Sequence, residues 1–353
     1  MDPRLDPAPG PAARMLLRAA RLLLPLSPEP PAAEGIRSVL VVRTDDRVGN
    51  ALLTIPLVRA LQRALPEARV DVLLAAPRAC IAEGLPDLQV VRFDKRAGPL
   101  RYLRFLRDLR GRYDVAVDAA HWHAFSVTSA LLSRWAARRW VIGADRGPAR
   151  LAYSGLAPLP AAGTPEVEAK LLLGVPLGLR LWPSPMETSL GRAGSPVSGR
   201  FAALNPGARK GDHRWPAARF GALAKTLEQR HALRSVVFWG PGEESLALEV
   251  VRASAGAAKP APPTDLDQLA AAFRAAAVVV TNDTGPLHLA VACGAPVAAI
   301  FLDAAGLRFA HPGPRFAAIV APADEAQVAA AVARILDSAA SEAQPASTRE
   351  GPA

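Results

Sequence analysis

The chain has 353 residues, of which 50% are hydrophobic, 21% charged and 5% aromatic; this balance excludes a disordered or fibrous protein and predicts about two domains. Its two cysteines, Cys80 and Cys293, lie far apart, which excludes a disulfide-rich secreted scaffold and a cysteine-based zinc site and favours the cytoplasm. The net charge of +10 indicates a generally basic surface or an anionic partner. Nucleic acid is not favoured as that partner, because the sequence has no basic run interleaved with aromatic residues and no zinc-finger spacing.

Residues 1–35 form a basic leader that we predict to be flexible. Within it, residues 14–24 have the pattern of a short amphipathic helix, with Arg14, Arg18 and Arg21 on one face. Its charges are too frequent for a membrane-spanning helix or a secretory signal. Two interpretations stay open: an in-plane contact with the cytoplasmic leaflet, and a leader that is disordered or packed on the body.

Strands alternate with helices over residues 36–181, which predicts a parallel, doubly wound sheet. The predicted strands are short apolar runs, typical of strands buried on both faces, at 38–43, 70–74, 89–93, 114–118 and 140–143. An amphipathic helical stretch to about Leu65 follows the first strand. Residues 182–200 are rich in Pro, Ser and Gly and lack periodicity, so we predict a linker there.

A second alternating set occupies residues 201–337, followed by a tail over 338–353 that we predict to be disordered. Its strands are expected at 201–204, 235–239, 278–280 and 297–301, with helices between them. Two such α/β domains place a cleft at the carboxyl ends of two sheets, where folds of this kind bind ligands.

The first candidate site is the loop after the first strand, where Asp45, Asp46 and Asn50 precede a helix. Gly49 allows a ligand to approach the backbone, and a helix N-terminus favours an anion. A carboxylate here can act as a general base. The alternative is that Asp45 or Asp46 only caps the helix.

The second candidate site is the loop 205–216, which also follows a strand and precedes a helix. It contains Arg209, Lys210, His213 and Arg214 among small residues. This combination favours a site for a phosphate or diphosphate. Plain surface charge is the alternative.

The third candidate is Glu243 in a glycine-bracketed turn after the next strand. A carboxylate at this position can accept hydrogen bonds from ribose or sugar hydroxyls, as in dinucleotide folds. The alternative is that Glu243 or Glu244 stabilises the helix dipole.

The fourth candidate is the loop before a helix predicted to begin at Pro286. Asp283 and Thr284 are expected to cap this helix, and its first-turn amides can face an anion. His288 lies one turn into the helix, where a histidine is either structural or part of the site.

His121 and His123 follow the strand 114–118. Their spacing suits a metal only with further histidine or carboxylate ligands, and none is evident nearby in the sequence. The chain also contains no GxGxxG and no P-loop lysine motif, which counts against dehydrogenases and NTPases.

Taken in order, these loops resemble glycosyltransferase family 9, whose best-known members are the ADP-heptose:lipopolysaccharide heptosyltransferases. The resemblance extends from about Ile36 to Leu336. The segments that carry it are 41–43 with 46–50 and 53–56, 113–143, 205–216, 240–243, and 283–285 with His288.

The resemblance implies two Rossmann-like domains facing across a cleft, the GT-B fold, and an inverting, metal-independent transfer without a cofactor. The donor is a nucleotide-diphosphate sugar, expected to be ADP-heptose. The acceptor is a lipid-linked glycan, a lipopolysaccharide core or another cell-surface glycan, so the protein is expected in the cytoplasm, either free or peripheral on the inner face of the cytoplasmic membrane.

In this family the donor lies mainly on the C-terminal domain. The resemblance implies that Arg209, Lys210, Thr284 and Gly285 hold the diphosphate, while Glu243 and Asp283 bind the ribose or the donor sugar. His213, where the family often has lysine, and His288 complete the expected donor site.

One departure concerns the base, because Asn50 stands where the family usually has aspartate. An amide cannot accept a proton near neutral pH, so Asp46 or Asp45 from the same loop, or His121 or His123 from a neighbouring strand end, would replace it. The alternative is a nucleotide-sugar-binding protein that has lost catalysis.

Overall fold

A computed structural model describes residues 10–146, 150–208, 211 and 214–343, with the side chains described as far as residue 338. The chain divides into two compact units, Met1–Ser189 and Leu190–Ala353. The division falls inside the 182–200 segment that the sequence analysis assigns to a linker.

The N-terminal unit contains a six-stranded parallel sheet in the order β3-β2-β1-β4-β5-β6. The strands are β1 (Ser38–Arg43), β2 (Arg69–Ala75), β3 (Val90–Phe93), β4 (Tyr113–Asp118), β5 (Ala137–Ala144) and β6 (Gly155–Ala157). The central strand β1 pairs with β2 and β4, with Val39 opposite Val70 and Val115. Its apolar residues are buried on both faces, as expected for a parallel sheet covered by helices.

The helices of this unit are α1 (Pro11–Leu23), α2 (Val48–Leu52), α3 (Ile55–Ala64), α4 (Pro99–Leu109), α5 (Val127–Ala136) and α6 (Glu166–Leu171). The helical stretch expected after β1 is therefore two helices. Thr54 Oγ1 donates to Asn50 O between them, and Pro56 lies in the first turn of α3, where proline is tolerated.

Helix α1 confirms the short helix expected at 14–24 and corrects the expectation of a flexible leader for the described residues from 10 onwards. Leu17 is 1% exposed and packs in the core over β4 and β5. The guanidinium of Arg134 on α5 donates to the carbonyl oxygens of Ala20 and Leu24, at 3.2 and 2.7 Å. These bonds satisfy carbonyls that a helix end leaves without intrahelical partners, so α1 is packed on the body.

The C-terminal unit repeats the same sheet topology in the order β12-β11-β10-β7-β8-β9. Its strands are β7 (Phe201–Asn205), β8 (Arg234–Val237), β9 (Ala258–Pro260), β10 (Val278–Asn282), β11 (Val297–Phe301) and β12 (Phe316–Val320). Both orders are that of the dinucleotide-binding Rossmann fold. The prediction of two Rossmann-like parallel-sheet domains is confirmed.

The helices of the second unit are α7 (Ala217–His231), α8 (Glu244–Ala253), α9 (Leu266–Ala275), α10 (Gly285–Ala292) and α11 (Glu325–Ala343). Helix α11 corrects the predicted tail, because residues 338–343 are helical; residues 344–353 lie outside the described residues. Val328, Val332 and Ile335 are buried against the core, and the continuation over residues 338–343 contains three alanines and one glutamate, which are good helix formers. Among the described helices, none is long and apolar enough to cross a bilayer.

Candidate functional site

The carboxyl ends of the neighbouring strands β1 and β4 form a cluster of buried polar groups. Arg43, the last residue of β1, is 1% exposed. One of its terminal nitrogens donates to Ala119 O, just beyond β4, and its Nε forms an ion pair with Asp45. A buried guanidinium requires such partners, so Arg43 ties the first loop to the end of β4.

His121 and Glu166 lie next to this arginine. His121 Nδ1 is 2.9 Å from Glu166 Oε1, and the glutamate side chain is fully buried at the start of α6. Lys170, one turn later, is also buried, with Nζ 3.5 Å from Glu166 Oε1 and 3.0 Å from Ala119 O. A buried carboxylate is thus held between an imidazole and an ammonium group.

The charges of this cluster shift its pKa values in consistent directions. Burial, and then the charge of Arg43, lowers the pKa of His121 to about 4, and the same two causes lower the pKa of Lys170 to about 8. Burial alone would raise the pKa of Glu166, but the hydrogen bond with His121 and the charge of Lys170 hold it well below its usual range. At neutral pH the imidazole is therefore neutral and the carboxylate charged.

His121, His123 and Glu166 can place one ligand atom each within 4.8 Å of one another. Two histidines and a glutamate are a known zinc ligand set, and Glu166 is the carboxylate that the sequence analysis did not find. Within the described residues, Glu166 Oε2 is buried and has no hydrogen-bond partner. However, the positive charges of Arg43 and Lys170 beside this carboxylate oppose the binding of a divalent cation. The metal independence of the reaction stays a prediction.

The first loop lies against the same cluster. Asn50 Nδ2 donates to Asp45 Oδ1 at 2.8 Å. Asp46 is about half exposed and its Oδ1 lies 2.8 Å from Nε of Arg78. Helix α2 has Arg47 at its N-cap position, so the capping role considered for Asp45 or Asp46 is wrong. Their predicted role as a base is untouched by this correction.

In the second loop, Arg209, Lys210 and His213 lie outside the described residues, and their phosphate-binding role stays a prediction. The flanking Arg214 is described and has internal partners. Its Nε donates to Ala208 O at 2.9 Å, and a terminal nitrogen lies 3.0 Å from Glu243 Oε1. Arg214 therefore ties Ala208, the residue before the undescribed part of the loop, to Glu243.

Glu243 connects three segments of the C-terminal unit. Besides Arg214, its carboxylate accepts a hydrogen bond from Gly240 N at 3.2 Å. It also packs directly on Gly207, where an added Cβ would lie 2.1 Å from Glu243 Oε2. Only glycine fits at position 207 while the Glu243 carboxylate lies in this place. The expected contact of Glu243 with sugar hydroxyls stays a prediction.

Helix α10 begins at Gly285, one residue before the predicted start. Thr284 occupies the N-cap position, but among the described contacts its side chain makes no cap bond. Its hydroxyl donates to Asn282 O at 3.3 Å instead, so the expectation that Thr284 caps this helix is wrong. Asp283 lies beside Gly306, where a Cβ would be 3.1 Å from its Oδ2.

His288 is 5% exposed and its Nδ1 lies 2.9 Å from Nε2 of His311. Burial lowers the pKa of His311 to about 4. A bond between two ring nitrogens needs one donor and one acceptor. The pair therefore shares one proton within the helix–loop contact, which favours a structural role for His288.

Two asparagines missed by the sequence analysis join the second and fourth loops. Asn282 Oδ1 accepts from Trp215 N at 3.0 Å, and its Nδ2 donates to Pro206 O at 2.8 Å. Asn205 Nδ2 donates to Thr281 Oγ1 at 3.2 Å. Both asparagines end adjacent strands, which is the signal that identifies them in retrospect.

A family model described as glycosyltransferase family 9 (heptosyltransferase) matches residues 102–329. This range includes His121, Glu166 and the loops of the C-terminal unit, and it begins after Asp46 and Asn50. Lipopolysaccharide heptosyltransferase 3 of Escherichia coli K12 is 25% identical over 280 residues, which are 72% of this chain and 79% of the relative.

Solved structures give the same result for the fold. E. coli heptosyltransferase WaaC with ADP matches with a TM-score of 0.67 and 24% identity over 85% of this chain and 99% of WaaC. A family 9 glycosyltransferase of Veillonella parvula matches with a TM-score of 0.70 and 17% identity, over 86% and 98% of the two chains. The fold is that of the GT-B glycosyltransferases.

Proposed function

We propose that this chain, which belongs to glycosyltransferase family 9, transfers heptose from ADP-heptose to a lipopolysaccharide core with inversion. The E. coli relative is named lipopolysaccharide heptosyltransferase 3. A solved relative, WaaC, has been crystallised with ADP and with ADP-2-deoxy-2-fluoro heptose. These names support the donor and the acceptor class proposed here.

The observation that carries the mechanism is the hydrogen bond between His121 Nδ1 and the buried carboxylate of Glu166. With its Nδ1 proton held by Glu166, the neutral imidazole presents Nε2 as a proton acceptor. The His121 side chain is 15% exposed and borders a small pocket with Phe125, Ser126 and Arg146, where we propose that the acceptor hydroxyl approaches it. His121 is therefore our choice among the replacements for the missing aspartate.

In the proposed step, Nε2 of His121 takes the proton of the acceptor hydroxyl while the oxygen attacks the anomeric carbon of the donor. The glycosidic bond forms as the bond to the nucleoside diphosphate breaks, and the diphosphate leaves with the bonding electron pair. The carboxylate of Glu166 stabilises the imidazolium, as the third member of a catalytic triad does.

The candidate residues of the first loop have the following roles in this scheme. Asn50 holds Asp45 by its amide, and the Asp45 carboxylate also forms an ion pair with the buried Arg43, so both of its oxygens already have partners within the cluster. Asp46, which is ion-paired with Arg78, is the alternative base. In either case no proton is taken by residue 50.

The donor site is proposed in the C-terminal unit. Arg209, Lys210 and His213, together with the amides at Thr284 and Gly285, would neutralise the charge that develops on the leaving diphosphate. Glu243 and Asp283 would bind the ribose or the heptose, and His288 would support the start of α10. A nucleotide-sugar-binding protein without turnover is the second candidate, and Asn50 is the observation in its favour.

The test is the rate of heptose transfer by three variants, His121→Gln, Glu166→Gln and Asp46→Asn, with His231→Gln on α7 as the matched control. We expect kcat to fall about 10²–10⁴-fold for His121→Gln, the usual range for loss of a general base. A smaller fall is expected for Glu166→Gln, and wild-type rates for the control. A large fall for Asp46→Asn with an active His121→Gln would transfer the role to Asp46.

A further inference from the structure

Exposed large apolar side chains are concentrated on two helices of the N-terminal unit. Eleven such side chains are exposed among the described residues. Six of them lie on α1 and α4, namely Met15, Leu16, Leu22, Leu23, Leu100 and Leu103. Scattered single leucines on a surface need no explanation, but a concentration of this kind indicates an interaction surface.

On α1 the exposed apolar residues form the outward face. Leu17 is the one side chain of this helix that is buried. At about 100° per residue, Met15, Leu16, Leu22 and Leu23 all lie within roughly 80° of the direction opposite Leu17. The three arginines, Arg14, Arg18 and Arg21, lie together along one flank between the buried and the outward face.

Helix α4 presents the same kind of surface on the same side of the sheet. Both α1 and α4 contact α5, so all three belong to one helical layer. Leu100 and Leu103 are 79% and 62% exposed, and they point away from the buried Leu109. Arg101, Arg104 and Arg107 are exposed on the same helix.

We propose that the outward faces of α1 and α4 dock on an anionic lipid bilayer. The two helices carry six arginines against one acidic residue, Asp108, so the surface is complementary to anionic headgroups. Outward leucines flanked by arginine are the pattern of a helix that lies in the plane of an interface, with leucines among the acyl chains and arginines at the phosphates. We call these two outward faces the docking face.

The inference rests on the proposed function in one respect, because a lipid-linked acceptor is presented at a bilayer. It deepens that function by naming the surface that holds the enzyme there. The hydrogen bonds from Arg134 to the end of α1 make the docking face part of the folded unit. Binding and catalysis can therefore be measured separately on the full-length chain.

The experiment is co-sedimentation of the full chain with vesicles that contain no glycan. Vesicles of phosphatidylcholine alone are compared with vesicles that contain about one third phosphatidylglycerol. We expect binding to the anionic vesicles, at least tenfold weaker binding for Leu22→Glu/Leu23→Glu, and unchanged binding for the matched control Leu248→Glu on α8. Salt at about 0.5 M should also weaken binding of the wild type.

Equal binding by the wild type and Leu22→Glu/Leu23→Glu would overturn the proposal. The absence of binding to anionic vesicles would also overturn it. If the wild type then forms a dimer that the double variant does not form, the leucines would bind a second copy of the chain instead of a bilayer. Transfer to a water-soluble core oligosaccharide is measured in parallel and should be unaffected by the double variant. Vesicle binding without any transfer would contradict the proposed function and leave the docking face intact.

Discussion

Among single residues, the buried Glu166 and its partners link the proposed proton transfer to the stability of the N-terminal unit. The carboxylate is fully buried beside His121 and Lys170. Removing one partner of a buried ion pair leaves the other charge buried without compensation. This lowers the free energy of unfolding far more than replacing the whole pair by apolar residues does. The cluster is therefore both the proposed catalytic centre and a point at which the stability of the unit depends on protonation.

The pH dependence of stability follows from the pKa of His121, about 4 in the folded chain against about 6.5 when unfolded. Between these values the unfolded chain binds a proton that the folded chain does not. Stability from neutral His121 is therefore fully present above about pH 6.5 and lost as the pH falls towards 4, by up to about 3 kcal/mol.

Urea unfolding at pH 7 and near pH 4.5 checks this expectation. The His121→Gln variant should lose less stability on acidification than the wild type, whereas His231→Gln should follow the wild type. Because His311 has a similarly lowered pKa, part of the acid sensitivity should remain in His121→Gln. Identical losses for the wild type and His121→Gln would show that His121 is not kept neutral by its surroundings.

At the scale of elements, the loops at the carboxyl ends of the C-terminal strands act as one assembly. Glu243 before α8 packs on Gly207 after β7, and Asn282 at the end of β10 holds the backbone of Pro206 and Trp215. The positions of these loops were predictable from the strand–loop–helix pattern. Their mutual bonds were not, because residues about 36 and 76 positions apart come together only through the strand order.

Gly207→Ala tests this assembly. Its Cβ would lie 2.1 Å from Glu243 Oε2, so the carboxylate must move and its bonds to Gly240 and Arg214 are lost. We expect the free energy of unfolding to fall by about 1–3 kcal/mol and the affinity for ADP-heptose to fall about tenfold. Calorimetric titration measures the affinity. Gly194→Ala, where an added Cβ meets nothing within 4 Å, is the matched control, and equal affinities for the two variants would contradict the assembly.

At the scale of the whole molecule, two copies of one sheet topology were predictable because buried parallel strands are continuous apolar runs. The strands β6, β9 and β12 escaped prediction; β6 and β9 have three residues each, too few to carry periodicity. Glu166 also escaped, because β5 and β6 separate it from His121 in sequence. The arginine face of the first helix was predictable from its spacing, whereas the exposure of leucines beside the six arginines of α1 and α4 was not, because it depends on how these helices pack.

We propose that this family 9 glycosyltransferase transfers heptose from ADP-heptose although residue 50 is asparagine. The most direct test is to incubate the full chain with ADP-heptose and heptose-free lipopolysaccharide core, and to measure the mass of the core and the amount of ADP. We expect the core to gain one heptose for each ADP released. Binding of ADP-heptose with an unchanged core and no ADP released would contradict it, and the chain would then be a sugar-nucleotide-binding protein.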